Sequence, residues 1–87
     1  MEEIWYLYIL RCRDGSLYTG ITTDVPRRLA AHREGKGAKY TRGRGPLELV
    51  HQEACGTHSQ ALRRELEIKA LTRKEKLAYI GQKETET

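Results

Sequence analysis

The segment from Ile4 to Cys12, reading IWYLYILRC, limits the fold more than any other stretch of the chain. It is dense in β-branched and aromatic residues, which suit a strand buried on both faces. Asp14-Gly15 follows as a turn signal, and Leu17 to Ile21 makes a second strand. Hairpin register decides which side chains share a face. A two-residue Asp14-Gly15 turn pairs Arg11 with Tyr18 and sends Tyr8 to the opposite face. A three-residue loop, Arg13-Asp14-Gly15 with Gly15 left-handed, pairs Leu10 with Tyr18 instead. Tyr8 then lies diagonally from Tyr18 on one face, within side-chain reach. A shared site needs this second register, which is the one expected here.

Further along, Asp24 can cap a helix whose first turn holds Pro26. That helix runs to about Glu34, and Gly35 and Gly37 end it. Gly35 to Pro46, GKGAKYTRGRGP, reads as a loop whose glycines allow close approach of a partner. Leu47 to Ala54 makes a third strand. Two helices follow, each with a capping-box signature, Thr57-x-x-Gln60 and Thr72-x-x-Glu75. The order ββαβαα predicts an α+β fold, a small three-stranded antiparallel sheet flanked by helices. At 87 residues this is one domain, expected over 1–82, with 83–87 a polar, disordered tail.

Charged residues make up 32% of the chain and no apolar stretch approaches the ~20 residues of a spanning helix. The N-terminal apolar run lacks a basic start, so the expectation is a cytoplasmic protein without a signal peptide. Cys12 and Cys55 match no Cys-x-x-Cys spacing and read as reduced buried thiols. His51 and His58 match no usual zinc spacing. The net charge of +4 is concentrated: Arg27 to Arg44 holds seven Lys/Arg against one acid, Glu34. A local, glycine-rich cationic cluster points to a polyanion as partner.

Helix periodicity singles out three further side chains. On the second helix Ala61, Leu62, Leu66 and Ile68 define an apolar stripe, with Glu65 near its middle. An inward carboxylate is costly unless paired. Lys69, four residues on, offers an ion pair. Alternatively Glu65 is a ligand for a hard divalent cation, Mg²⁺ or Mn²⁺. On the first helix Val25 and Leu29 mark the buried face, and Arg28 and His32 flank it four residues apart. Arg28 reads as a surface cation or as a bidentate phosphate clamp. His32 reads as a satisfied imidazole or as a proton carrier. Arg27 and Arg33 point to solvent or to backbone. Together, phenols to manage a proton, cations to hold phosphate charge and a carboxylate to hold a metal are what phosphodiester cleavage requires.

In this order the residues resemble the GIY-YIG nuclease superfamily, in its small stand-alone single-domain bacterial branch. The signature triplets correspond to Tyr6-Leu7-Tyr8 and Tyr18-Thr19-Gly20. The helix arginine falls on Arg28, the position one turn later on His32 and the metal-binding glutamate on Glu65. Gly35-Lys36-Gly37-Ala38-Lys39-Tyr40-Thr41-Arg42 and Lys69-Ala70-Leu71-Thr72-Arg73 are similar to stretches of the stand-alone branch. The resemblance departs at Tyr6, in place of glycine, at Thr19, in place of isoleucine, and at Ile21, where excision-repair members carry lysine. The asparagine that follows the glutamate in many members has no counterpart, since the chain contains none.

The resemblance implies single-metal hydrolysis of DNA, with a place in DNA repair or recombination. Glu65 would hold Mg²⁺ or Mn²⁺, Arg28 would hold phosphate, and Tyr18, Tyr8 or His32 would take the proton of water. A tyrosine base would need its pKa lowered by neighbouring cations. Lys36, Lys39, Tyr40, Arg42 and Arg44 would contact nucleic acid, with Arg73 or Lys74 in the role of the missing asparagine. The alternative is a nucleic-acid-binding module that keeps the fold without turnover.

Overall fold

In the computed structural model, which describes residues 3–37, 41, 43 and 45–85, the elements follow the expected order ββαβαα. They are β1 Trp5–Arg11, β2 Leu17–Thr22, α1 Val25–Arg33, β3 Glu48–Gly56, α2 His58–Lys69 and α3 Arg73–Thr85. The strands form one antiparallel sheet in the order β2-β1-β3. β1 is therefore central, and Leu7, Tyr8, Ile9 and Leu10 are all buried. Its sequence lacks polar alternation because neither face meets water.

Alternation along β1 divides the core in two. Tyr8, Leu10 and Cys12 face one way and pack with Val25, Leu29 and Leu47. Leu7 and Ile9 face the other way and pack with Ile68 of α2 and Ile80 of α3. The hairpin has the three-residue loop. Gly15 sits at φ +85°, and Leu10 pairs with Tyr18 while Tyr8 faces Gly20. Asp14 Oδ1 accepts from the Ser16 amide at 3.0 Å and from its hydroxyl at 2.6 Å, which holds the loop in that shape.

Local capping sets the helix ends. The Asp24 side chain accepts from the Arg27 amide. α1 closes in a Schellman motif: Lys36 N–H donates to Ala31 O, Gly35 N–H to His32 O, and Gly35 takes φ +77°. Both expected capping boxes form, Thr57 with Gln60 and Thr72 with Glu75. β3 is displaced toward its C-terminal end relative to expectation, starting at Glu48 and reaching Gly56. α3 continues past Ile80 to Thr85, into the segment expected to be a tail. Gln82, Lys83 and Glu84 are good helix formers, so nothing local stops it.

The face of α2 differs from the wheel. Ala61 and Ile68 are buried, but Leu62 and Leu66 are 41% and 70% exposed. Arg64, which lies outside the expected apolar stripe, turns toward the sheet. Its Nε lies 3.4 Å from Glu53 Oε2 and its Nη2 donates to Tyr79 Oη at 2.7 Å. Glu53 also accepts from Tyr79 and lies 2.9 Å from His51 Nε2. This network, closed by β3, α2 and α3, gives Arg64 partners that a single-helix wheel does not contain. The inward side of α2 is Ala61, Arg64, Glu65 and Ile68. Burial pushes the Glu53 carboxyl up, but Tyr79, His51 and Arg64 outweigh it and hold it below the usual range.

Among the described residues no helix is long and apolar enough to cross a membrane. Cys12 and Cys55 are both free thiols.

Candidate active site

Tyr8, Tyr18, Arg28 and His32 come together on one face of the sheet. Tyr8 leaves the middle of β1, and Tyr18 stands diagonally from it on β2. Their ring centroids are 6.3 Å apart. Gly20, opposite Tyr8, makes room: a Cβ there would lie 2.6 Å from Tyr8 Oη and 3.1 Å from Tyr18 Cε2. The glycine of the second triplet is thus required by the Tyr8 ring, which lies across the neighbouring strand.

α1 supplies the other two side chains from successive turns. His32 is 2% exposed. Its Nε2 lies 2.8 Å from Tyr8 Oη, and its ring stands edge-on to Tyr18 at 5.3 Å. Its Nδ1 lies 2.9 Å from Thr41 Oγ1. Arg28 is half-buried, and its charge acts on the Tyr8 hydroxyl. Burial raises the Tyr8 pKa to about 12, and the opposing pull of Arg28 does not overcome it. Burial, then the Arg28 charge, lowers the His32 pKa. Near neutral pH the pair is therefore a protonated phenol against a neutral imidazole. Tyr18, half-buried, is the phenol nearer solvent.

Glu65 stands on α2, which packs on the opposite, Leu7/Ile9 side of the sheet through Ile68. Its side chain is 17% exposed, and Oε2 pairs with Lys69 Nζ at 3.2 Å. The ion-pair alternative is thus realised. Such an i,i+4 pair with a half-exposed lysine contributes only about 0.3–0.5 kcal/mol, too little to hold the carboxylate against a divalent cation. Among the described residues no group of three or more His, Cys, Asp or Glu is arranged to hold a metal. A single hard oxygen donor does fit Mg²⁺ or Mn²⁺, which keep several waters and accept one or two carboxylates plus substrate phosphate.

The expected nucleic-acid contacts divide. Lys36 is exposed and 3.6 Å from Glu34. Lys39, Tyr40, Arg42 and Arg44 lie outside the described residues. Lys74 is exposed. Arg73 donates through Nη2 to Gly15 O at 2.8 Å, tying the start of α3 to the hairpin loop. Arg33 donates to Leu47 O at 3.3 Å, a backbone contact as expected. The sequence reading passed over Thr41 and Gly37. Thr41 sits in a loop whose cations drew attention, and its hydroxyl partner is nine residues away in sequence. Gly37 leaves space for His32 rather than for an external partner, since a Cβ there would overlap the imidazole.

The family model for the GIY-YIG catalytic domain matches residues 4–81. A UPF0213 protein of Cupriavidus pinatubonensis is 51% identical over 84 residues, covering 97% of this chain and 93% of that protein. One from Cronobacter sakazakii is 58% identical over 81 residues, covering 93% and 84%. The solution NMR structure of the UPF0213 protein from Bacillus halodurans is 52% identical and superposes with a TM-score of 0.61, covering 92% of this chain and 85% of that one. A solution NMR structure from E. faecalis is 43% identical with a TM-score of 0.68, covering 100% and 95%. With the catalytic-domain model spanning both signature triplets, α1 and Glu65, the chain belongs to the GIY-YIG family.

Proposed function

We propose that this protein is a metal-dependent endonuclease that hydrolyses DNA phosphodiester bonds in the cytoplasm, in DNA repair or recombination. The observation that carries the reading is the contiguous group of Tyr8, Tyr18, Arg28 and His32, joined by the Tyr8–His32 hydrogen bond, by ring contacts and by the charge of Arg28, in a domain of a nuclease family. Arg28 offers a planar cation that can hold two phosphate oxygens. Tyr18 meets the water that attacks, being the more exposed phenol. Tyr8 and His32 sit behind it as a buried acid–base pair that can receive a proton. Glu65 would hold Mg²⁺ or Mn²⁺, and the ion supplies Lewis-acid stabilisation of phosphoryl charge when bound. Lys36, with Lys39, Arg42 and Arg44 of the same loop, supplies sequence-independent attraction to the backbone.

Two observations favour a second reading, a binding module without turnover: Glu65 is paired with Lys69, and no asparagine is present to assist it. One experiment separates the two. The protein is incubated with branched, single-stranded and duplex DNA in Mg²⁺, Mn²⁺ or EDTA, beside Glu65→Ala. Hydrolysis predicts cutting that needs both the metal and Glu65. Salt-sensitive binding with no metal-dependent cutting by the wild type supports the binding module and rejects the nuclease. Cleavage that persists in EDTA and in Glu65→Ala marks a contaminant.

A further inference from the structure

We propose that Thr41 is a positioning residue: its hydroxyl accepts from His32 Nδ1 and fixes the tautomer whose Nε2 accepts from the Tyr8 hydroxyl. The placement of the proton rests on the geometry of His32. Both ring nitrogens are engaged, Nε2 with Tyr8 Oη at 2.8 Å and Nδ1 with Thr41 Oγ1 at 2.9 Å. A neutral imidazole has one donor and one acceptor, so these contacts admit two arrangements. In one, Tyr8 donates to Nε2 and Nδ1 donates to Thr41. In the other, both directions reverse.

The surroundings of Tyr8 favour the first, and Thr41 completes it by accepting the Nδ1 proton. Arg28 opposes and Tyr18 reinforces protonation of the Tyr8 oxygen, and burial outweighs the opposition. The Tyr8 phenol keeps its own O–H, and His32 Nε2 lies 2.8 Å from it. Acidity agrees, since a phenol is a far better donor to an imidazole nitrogen than an imidazole N–H is to a phenol. Burial adds to this by keeping the proton on Tyr8. With Nε2 accepting, Nδ1 carries the imidazole proton and Thr41 receives it.

The contact is part of how the loop is built. Thr41 is 2% exposed although it lies in a glycine-rich loop. Gly37, four residues earlier, lies against the same imidazole, and its absent Cβ would fall 2.7 Å from His32 Cγ and Cε1. Two residues of one loop therefore fit one ring edge. Gly37 and Thr41 of the loop thus meet the Tyr8 phenol through His32, and the loop's seat on that ring bears on which nitrogen faces the phenol.

The functional consequence rests on the nuclease reading, but the proton's position does not, and the test separates them. Histidine is labelled with ¹⁵N and the ring nitrogens are followed by long-range ¹H–¹⁵N correlation near neutral pH. His51→Gln and His58→Gln assign the other two signals. The expected result for the wild type and for Thr41→Ser is a protonated, pyrrole-type Nδ1 and a bare, pyridine-type Nε2. Thr41→Val should move His32 toward the opposite tautomer. A wild-type His32 protonated on Nε2, or a folded Thr41→Val with an unchanged pattern, overturns the proposal. Should Thr41→Val fail to fold, the wild-type and Thr41→Ser spectra still decide it.

In the Mg²⁺-dependent cleavage assay, Thr41→Val should lower kcat by at least about tenfold with KM little changed, and Thr41→Ser should restore it. Equal kcat in wild type and Thr41→Val overturns the positioning role. A wild type that does not cleave removes the nuclease reading and leaves the spectra to judge the tautomer.

Discussion

Replacing Thr19 with valine should make this protein more stable, although the residue lies inside a signature triplet. Thr19 is 2% exposed on β2, and its Oγ1 has no hydrogen-bond partner among the described residues. It pairs with Ile9, so it points to the Leu7/Ile9 side, away from Tyr18. A buried hydroxyl left unsatisfied costs about 1–3 kcal/mol. Valine keeps the β-branched shape that suits a strand and replaces the hydroxyl with a methyl of similar size. Neither a cavity nor a clash should arise. The expected gain is about 1–3 kcal/mol, and for a domain of this size each 1 kcal/mol raises Tm by about 4–8 °C. Thermal unfolding and urea titration followed by circular dichroism measure it, with the gain read from a higher midpoint at unchanged slope. Thr19→Ser, which keeps the hydroxyl and loses the methyl, should show no gain. An unchanged or lower midpoint for Thr19→Val would refute the reasoning, because the hydroxyl would then be satisfied in solution.

Other consequences can be checked as directly. Gly20→Ala puts a Cβ 2.6 Å from Tyr8 Oη. The buried ring has little room to yield, so overpacking should cost about 1–3 kcal/mol. The Tyr8–His32 hydrogen bond should also be lost, and wild-type stability in that variant would contradict the close packing. Glu53 has a folded pKa below its ordinary 4.5, despite burial, because Tyr79, His51 and Arg64 favour the carboxylate. Its contribution to stability is therefore full above pH 4.5 and is lost as pH falls through the lower folded value. Tyr79→Phe should flatten the stability profile in that acid window, and an unchanged slope there would exclude the hydroxyl as a cause. Changing Lys36, Lys39, Arg42 and Arg44 to Ala should weaken DNA binding across sequences and reduce the salt dependence by about one unit of slope per lost phosphate contact. A slope equal to the wild type would remove the loop from the contact surface.

The features legible in the sequence are those whose causes are local. The three-residue hairpin loop follows from Gly15, which tolerates the left-handed conformation, and from Asp14, which bonds the amide two residues on. That loop alone sets the register placing Tyr8 and Tyr18 on one face. Asp24, Thr57 and Thr72 start their helices through side chains within one turn. Arg28 and His32 share a face of α1 because they are four residues apart. Such relations depend on a few neighbouring dihedrals and survive any packing.

Tertiary structure decided the rest, because the partners are distant in the chain. The face of α2 was set by Glu53 and Tyr79, which draw Arg64 inward and leave Leu62 and Leu66 in water. Hydrophobicity counted along one helix cannot register a buried carboxylate on β3. Gly37 reads in the sequence as a helix end and a point of close approach for a partner, and Thr41 as one more residue of the loop. Only the fold brings them onto His32, and only the burial of that ring makes its tautomer matter. Residue types at short spacing thus determined which groups lie side by side. The protonation of Tyr8 and His32 was decided by enclosure, since it depends on how much water the assembled core excludes.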